Sequence, residues 1–426
     1  MARRPRYGSS CRLFGDWLRI WLMAASLVVS GATQGAPRRI VGNLPSYRAI
    51  RPGQFPGLTH LIVFSVKPDP AAGTFKVFST NAVTGETVFE APPGGAGLSS
   101  AVLDQAVEQA KSFGVRVGLC IGGTGVATQF QDLEIKGTTA AFADYVRDFA
   151  VAHALDEINI DWEQPSSHLD AGRATNIFSA LCTRLKPEGI ELTASWTGSA
   201  TFPYALEAAR LCRPYSDAVY VMSYGWDLAS FTNRFLLYTK PESQGGQGYP
   251  PEKVCPGVQF FARDSARTLV KTYGEIVDLA GGCANLDPGT NSMVVEGKTL
   301  LFTGQTMLGA MCDYSEQTGG GIMIWEIGQD TDPTNDCALM RVLINRLDAA
   351  RTPTRITAVV DEGSLILSWP MDHRGSRLLV QTNNLSQGIS LRTNDWGVVV
   401  GSTITNRIAV PITATNRSVF YRLVYP

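Results

Sequence analysis

Histidine, paired cysteine motifs, surplus charge of one sign and long apolar runs are all scarce in this chain of 426 residues. Basic residues number 37 and acidic residues 38, a net charge of −1. A phosphate backbone therefore finds no basic surplus to grip, and no nucleic-acid partner is expected. The four histidines, His60, His153, His168 and His373, stand isolated, and no Cys-x-x-Cys pair occurs. No metal-ligand set is readable from them, and neither a metal nor another cofactor is expected. Repeats and low-complexity tracts are missing as well. What remains is globular in composition, 44% hydrophobic and 18% charged, enough for a sizeable core. The length fits two or three domains, although a single α/β barrel can absorb more than ~250 residues.

The first 32 residues place Arg3, Arg4, Arg6, Arg12 and Arg19 ahead of or beside an apolar run, Ile20 to Ser30, that ends at Ser30-Gly31-Ala32. That order reads as a secretory signal peptide over residues 1–32, cleaved after Ala32 or Ala36. A run of 11 residues is too short to span a bilayer comfortably, so no membrane span is expected after cleavage. Removing it leaves 32 basic and 37 acidic residues, which further disfavours anionic partners. An exported chain meets an oxidising compartment, yet seven cysteines remain, and at least one must be unpaired. Cys182 with Cys212 is the expected pair, because both fall on consecutive helices.

Eight short apolar runs recur between residues 38 and 350: Arg39 to Gly42, Thr59 to Ser65, Arg116 to Ile121, Glu157 to Asp161, Glu191 to Ser195, Ala218 to Met222, Gly257 to Phe261 and Gly321 to Trp325. Near-continuous apolar runs suit strands covered on both faces. Segments between them carry apolar residues on one helical face, as in Leu103, Ala106, Val107 and Ala110, or Phe178, Leu181, Cys182 and Leu185. Strand and helix alternating eight times predict an α/β fold, a (β/α)8 TIM barrel over residues 38–350. A doubly wound open sheet would alternate in the same way. After a helix over 335–350 the composition turns to Val, Ile, Thr, Ser and Asn, which predicts a small all-β, sandwich-like module over 355–426. Its aromatics Trp369, Trp396, Phe420 and Tyr421 read as core, with sugar binding the competing use.

The stretch from Leu155 to Pro165, LDEINIDWEQP, carries the chemistry. Side chains alternate along a strand, so Asn159, Asp161 and Glu163 share one face while Ile158, Ile160 and Trp162 share the other. An amide and two carboxylates inside a barrel cost several kcal/mol unless paired, so packing alone is a poor reason for them. Glu163 comes last, at the C-terminal end of the strand, where barrels carry their active sites. Asp161 lies two residues before it and is expected to raise the pKa of Glu163, keeping it protonated as a general acid. An acidic edge strand facing solvent is the competing reading.

Asp156-x-x-Asn159-x-Asp161-x-Glu163 resembles the DxxDxDxE signature of glycoside hydrolase family 18, the chitinase family. Four further segments are similar to that family in the expected order: RIVGNLPSYR from Arg39 to Arg48, LCIGG from Leu119 to Gly123, VMSYG from Val221 to Gly225, and GGIMIWE from Gly320 to Glu326. The resemblance implies retaining hydrolysis without an enzyme nucleophile, an exception to the two-carboxylate scheme. Catalytic roles then fall to Glu163 as acid and base, Asp161 as orienter of the substrate's 2-acetamido group, and Tyr224 as donor to the acetamido carbonyl. Trp325 would floor the sugar site, with Met222, Asn159 and Asp227 as further substrate-binding candidates. Asn159, Cys120 and Gly225 depart from the family pattern, which has an aspartate, a serine and an aspartate there. Asn159 can donate an N–H to Asp161 but cannot share a titrating proton with it. Cys120 reads as a buried, inert thiol.

The implied protein is a secreted, monomeric hydrolase of β-1,4-linked N-acetylglucosamine polymers, with an N-acetylglucosamine-containing polysaccharide as its partner. An endo-β-N-acetylglucosaminidase acting on glycoprotein glycans and a non-catalytic chitin-binding lectin on the same barrel are the rivals. Residues Arg263 to Thr303 are expected to be too short for the extra α+β insertion that deepens the groove in some family members, so an open cleft suited to endo cleavage follows.

Overall fold

The computed structural model describes residues 38–347 apart from 94 and 223, and residues 356–424 apart from 362, 370–375, 383–388, 390–394, 403 and 413–417. The signal-peptide segment 1–32 and His373 lie outside the described residues.

Eight parallel strands close into a barrel: β1 (Ile40–Pro45), β2 (His60–Val66), β3 (Arg116–Gly122), β4 (Glu157–Asp161), β5 (Glu191–Thr197), β6 (Ala218–Met222), β7 (Val254–Gln259) and β8 (Ile322–Trp325). Each pairs with its neighbours in sequence, and β8 returns to β1 with Ile40 opposite Ile322. The fold is therefore the (β/α)8 barrel that the eight apolar runs predicted. β7 begins earlier than expected, because Cys255-Pro256-Gly257 reads as a break in sequence yet lies inside the strand.

The period-2 alternation splits each strand between two cores. On β4, Ile158 and Ile160 face outward into the large apolar layer beneath the helices. Val41, Ile62, Cys120, Tyr220 and Met323 pack inside the barrel. The helix His168–Leu185 shows how the outer layer is built. Ser167 caps its first turn by accepting from the Asp170 N–H at 3.2 Å, and Ile177, Phe178, Leu181 and Leu185 are buried along one stripe. Burying Phe178 stabilises by roughly 2–3 kcal/mol, and its replacement by alanine should cost ~3–5 kcal/mol.

Two expectations are corrected here. An α+β insertion is present after β7: Phe261–Arg263, Val270–Thr272, Ser292–Val295 and Lys298–Leu301 form a four-stranded antiparallel sheet, joined by the helix Tyr273–Leu279. Its strands are three or four residues long, too short to leave a pattern in sequence. The disulfide joins Cys283 to Cys337, 54 residues apart, and Cys182 and Cys212 both remain thiols. The pairing follows the closure of the barrel, which brings the insertion beside the loop after β8.

Beyond the helix Leu339–Leu347, two three-stranded antiparallel sheets follow. One holds Thr357–Asp361, Ser364–Ser368 and Arg407–Pro411; the other holds Gly397–Val398, Arg377–Thr382 and Val419–Val424. Leu367, Trp369 and Leu378 form their buried centre. Trp396 is half-buried, with the Arg422 guanidinium 4.3 Å from its ring. Among the described residues no helix is long and apolar enough to cross a membrane.

Candidate active site

At the C-terminal mouth of the barrel lies a cleft of about 420 Å³ to which all eight strands, or the turns directly after them, contribute. Asn43, Phe64, Thr124, Ser195 and Phe261 line it together with Asp161, Glu163, Met222, Tyr224 and Trp325. Its size is that of a small-ligand site. The loop after β2 brings Pro92 and Pro93 to the rim.

Strands β3 and β4 fix the acid pair. They run with Cys120 opposite Asn159 and Gly122 opposite Asp161. Gly122 has φ +119°, and a Cβ there would lie 2.2 Å from the Asp161 carbonyl oxygen, so the strands close at this level only around glycine. Asp161 is 4% exposed and Glu163, two residues on, is half-buried in the cleft wall. The Thr124 hydroxyl donates to Glu163 Oε2 at 2.7 Å. Asp161 Oδ1 is buried without a hydrogen-bond partner among the described residues, and neither carboxyl group makes an ion pair there. Burial, and then the charge of Glu163, push the Asp161 carboxyl well above the usual carboxylate range. Desolvation is the larger of these two causes at the depth of Asp161.

Tyr224 lines the cleft just after β6, with its phenol pushed up by burial and by Asp161 and Glu163, and so presents an O–H donor at ordinary pH. The Trp325 ring packs edge-to-face on Phe64, centroids 4.8 Å apart. Met222 completes the lining nearby. At the insertion's edge the Arg263 guanidinium lies 5.3 Å from both the Trp226 and the Phe261 rings. Tyr47 lines the cleft and is half exposed, whereas Trp162 and Trp196 are core.

Two predicted contacts fall elsewhere. Asp227 is exposed and caps the helix Leu228–Thr239, accepting from the Ser230 N–H and hydroxyl at 2.8 Å each. It does not line the cleft, because a carboxylate five residues past a strand end is taken up by the helix start. Asn159 is buried beneath the cleft and bonds sideways, not to Asp161: its Nδ2 donates to Thr193 Oγ1 at 2.9 Å and its Oδ1 accepts from Ser195 Oγ at 2.9 Å. Cys120 is buried, its thiol pushed well up by burial and by Asp161 and Glu163. Thr124 and Ser195 went unread in the sequence, since single hydroxyl residues leave no pattern.

Among the described residues, His60, Glu157 and Glu191 bring their ligand atoms within 4.8 Å of one another at the opposite end of the barrel. Arg39 Nη1 lies 2.8 Å from Glu191 and 3.0 Å from His60 Nε2, so a guanidinium already supplies the cation. Chemically, the mouth can donate a proton, accept an N–H deep in its floor, and hold an apolar ring face.

Several solved structures share this fold. A chitinase from Bacteroides thetaiotaomicron has a TM-score of 0.56 at 17% identity, covering 74% of this chain and 98% of that one. The GH18 chitinase ChiB of Flavobacterium johnsoniae gives 0.54 at 19%, covering 74% and 94%. The chitinase-like agglutinin of Robinia pseudoacacia gives 0.54 at 18%, covering 72% and 99%. Curated proteins return no match in sequence. The family described as "Glycosyl hydrolases family 18" matches residues 42–330, from β1 past β8 and so across every strand of the cleft. With that match over most of the chain, the protein belongs to glycosyl hydrolase family 18 and is a glycosidase of that family.

Proposed function

We propose that the protein is an exported chitinase-type enzyme that cleaves β-1,4 links between N-acetylglucosamine units with retention, using the substrate's own acetamido group as nucleophile. Residues 1–32 serve as the export signal, residues 38–350 as the catalytic body and residues 355–426 as an appended β module. One observation carries the reading: among the described residues, two carboxyl groups share the cleft without a cation beside either, the deeper of them, Asp161, with an unpartnered buried oxygen.

Two such groups favour a single shared proton. An acetamido N–H set against Asp161 favours its ionised form and leaves the proton on Glu163. Glu163 passes it to the glycosidic oxygen as the C1–O bond breaks, and the acetamido carbonyl oxygen closes on C1 to give an oxazolinium. Asp161 holds the N–H and its growing positive charge, while the Tyr224 phenol donates to the same carbonyl oxygen; both are preorganised electrostatic work. Trp325 and Met222 seat the sugar, and Thr124 fixes the Glu163 carboxyl. Water then attacks C1 from the face the leaving group vacated, Glu163 takes its proton, and the acetamido group is restored.

Incubation of the protein with chitotetraose and colloidal chitin, beside Glu163→Gln, tests this. Turnover by the wild type that falls about 10²- to 10⁴-fold in the variant is the expected result. A chitinase-like agglutinin on the same barrel makes sugar binding without turnover the second reading. Chitin retained by a wild type that releases no oligomer would select it.

A further inference from the structure

Below the cleft the barrel contains another carboxylate, Glu157, that the proposed chemistry leaves unused. It is wholly buried, and room for it comes from the neighbouring strand, where a Cβ on Gly118 would lie 2.9 Å from the Glu157 Cβ. Its Oε1 accepts from the Tyr220 hydroxyl at 2.7 Å and from the Thr193 hydroxyl. Its Oε2 faces Arg39 Nη1 at 4.0 Å.

These bonds fix proton positions upward through the barrel. Thr193 has one proton, and it is committed to Glu157, so toward Asn159 the Thr193 oxygen can only accept. The amide of Asn159 must then turn its NH2 to Thr193, which leaves Oδ1 facing Ser195. The Ser195 hydroxyl proton is drawn down onto that oxygen. Ser195 lines the cleft, and with its proton spent below it offers the cleft lone pairs. The reverse amide orientation would leave Glu157 and Asn159 competing for the single Thr193 proton.

We infer that Glu157 is a positioning residue, which through Thr193 and Asn159 sets Ser195 as a hydrogen-bond acceptor in the wall of the cleft and is matched to the amide at 159. The group it would meet is a hydroxyl or amide N–H of the sugar. This role presupposes the hydrolytic reading above.

The test is a set of five variants: Glu157→Gln, Thr193→Val, Thr193→Ser, Asn159→Asp and the double Glu157→Gln/Asn159→Asp, assayed on chitotetraose with thermal unfolding alongside. Glu157→Gln and Thr193→Val should each lower kcat about 10-fold with KM within about threefold, and Thr193→Ser should stay near wild type. Asn159→Asp sets two carboxylates on one hydroxyl proton and should lose more. The double variant should recover at least about fivefold over Asn159→Asp, a coupling that independent sites do not show. A purely packing role would lower melting temperatures while leaving kcat alone. The inference is overturned if Glu157→Gln keeps kcat within twofold, if Thr193→Val does not follow it, or if the double variant is simply additive. Should the wild type release no product, the hydrolytic reading fails by itself. Chitotetraose affinity by calorimetry then decides the relay: a joint loss in Glu157→Gln and Thr193→Val, spared in Thr193→Ser, supports it, and unchanged affinity overturns it.

Discussion

The two ends of the barrel treat the same kind of side chain in opposite ways. At the N-terminal end Glu157 and Glu191 lie among Arg39, Arg116 and His60, with Arg39 2.8 Å and Arg116 2.9 Å from Glu191. Burial opposes ionisation of Glu191, yet His60 and the Arg39 and Arg116 guanidinium groups beside it hold its pKa down to about 2. At the mouth Asp161 and Glu163 have no cation beside them among the described residues, and burial pushes the Asp161 carboxyl up. Strand β4 runs between both environments. A buried charge that serves the fold is neutralised, whereas one left unneutralised costs stability and points to function.

If that contrast is right, removing groups at the mouth should cost turnover and removing cations at the base should cost stability. Glu163→Gln should lower kcat on chitotetraose by about 10³-fold while the melting temperature stays put. Arg39→Met strips the cation from buried Glu157 and Glu191 and should destabilise by ~3–5 kcal/mol in urea unfolding at pH 7. Asp161→Asn should lose about 10²-fold in kcat. It should also change the pH dependence of stability. The raised folded pKa of Asp161 gives a contribution fully present below its ordinary value of 3.8 and lost as pH rises through the folded value, so the variant should lose less stability than wild type toward alkaline pH. Thr124→Val frees the Glu163 carboxyl from its 2.7 Å bond and should cost about fivefold in kcat, roughly 1 kcal/mol. Glu191→Gln should flatten the acid limb of the stability curve. The lowered pKa gives stability that is present above the ordinary 4.5 and lost as pH falls toward 2. A variant at the mouth that unfolds the protein, or removal of a cation at the base that halts turnover in a folded chain, would break the contrast.

Much of this was readable before the structure. The eight strands were legible because each is covered on both faces and written as a run of apolar residues, and Asp161, Glu163, Tyr224 and Trp325 were legible because the motifs spaced them. Other features left little trace. The insertion after β7 is built from strands such as Val270–Thr272 and Ser292–Val295, too short for periodicity. The Cys283–Cys337 bond joins segments that meet only when the barrel closes. Asp227 looked like a spare carboxylate for the cleft, but a local helix start took it. Glu157 sat in plain view inside the motif and went unassigned, because its meaning depends on Thr193 and Tyr220 from two other strands.

The central claim is that the sugar, not the protein, supplies the nucleophile, and hydrolysis of partially de-N-acetylated chitosan tests it most directly. The acetamido group must sit on the sugar whose C1 is attacked, so sequencing the products should find N-acetylglucosamine at essentially every new reducing end. New reducing ends carrying glucosamine as often as the polymer's own composition would contradict the account.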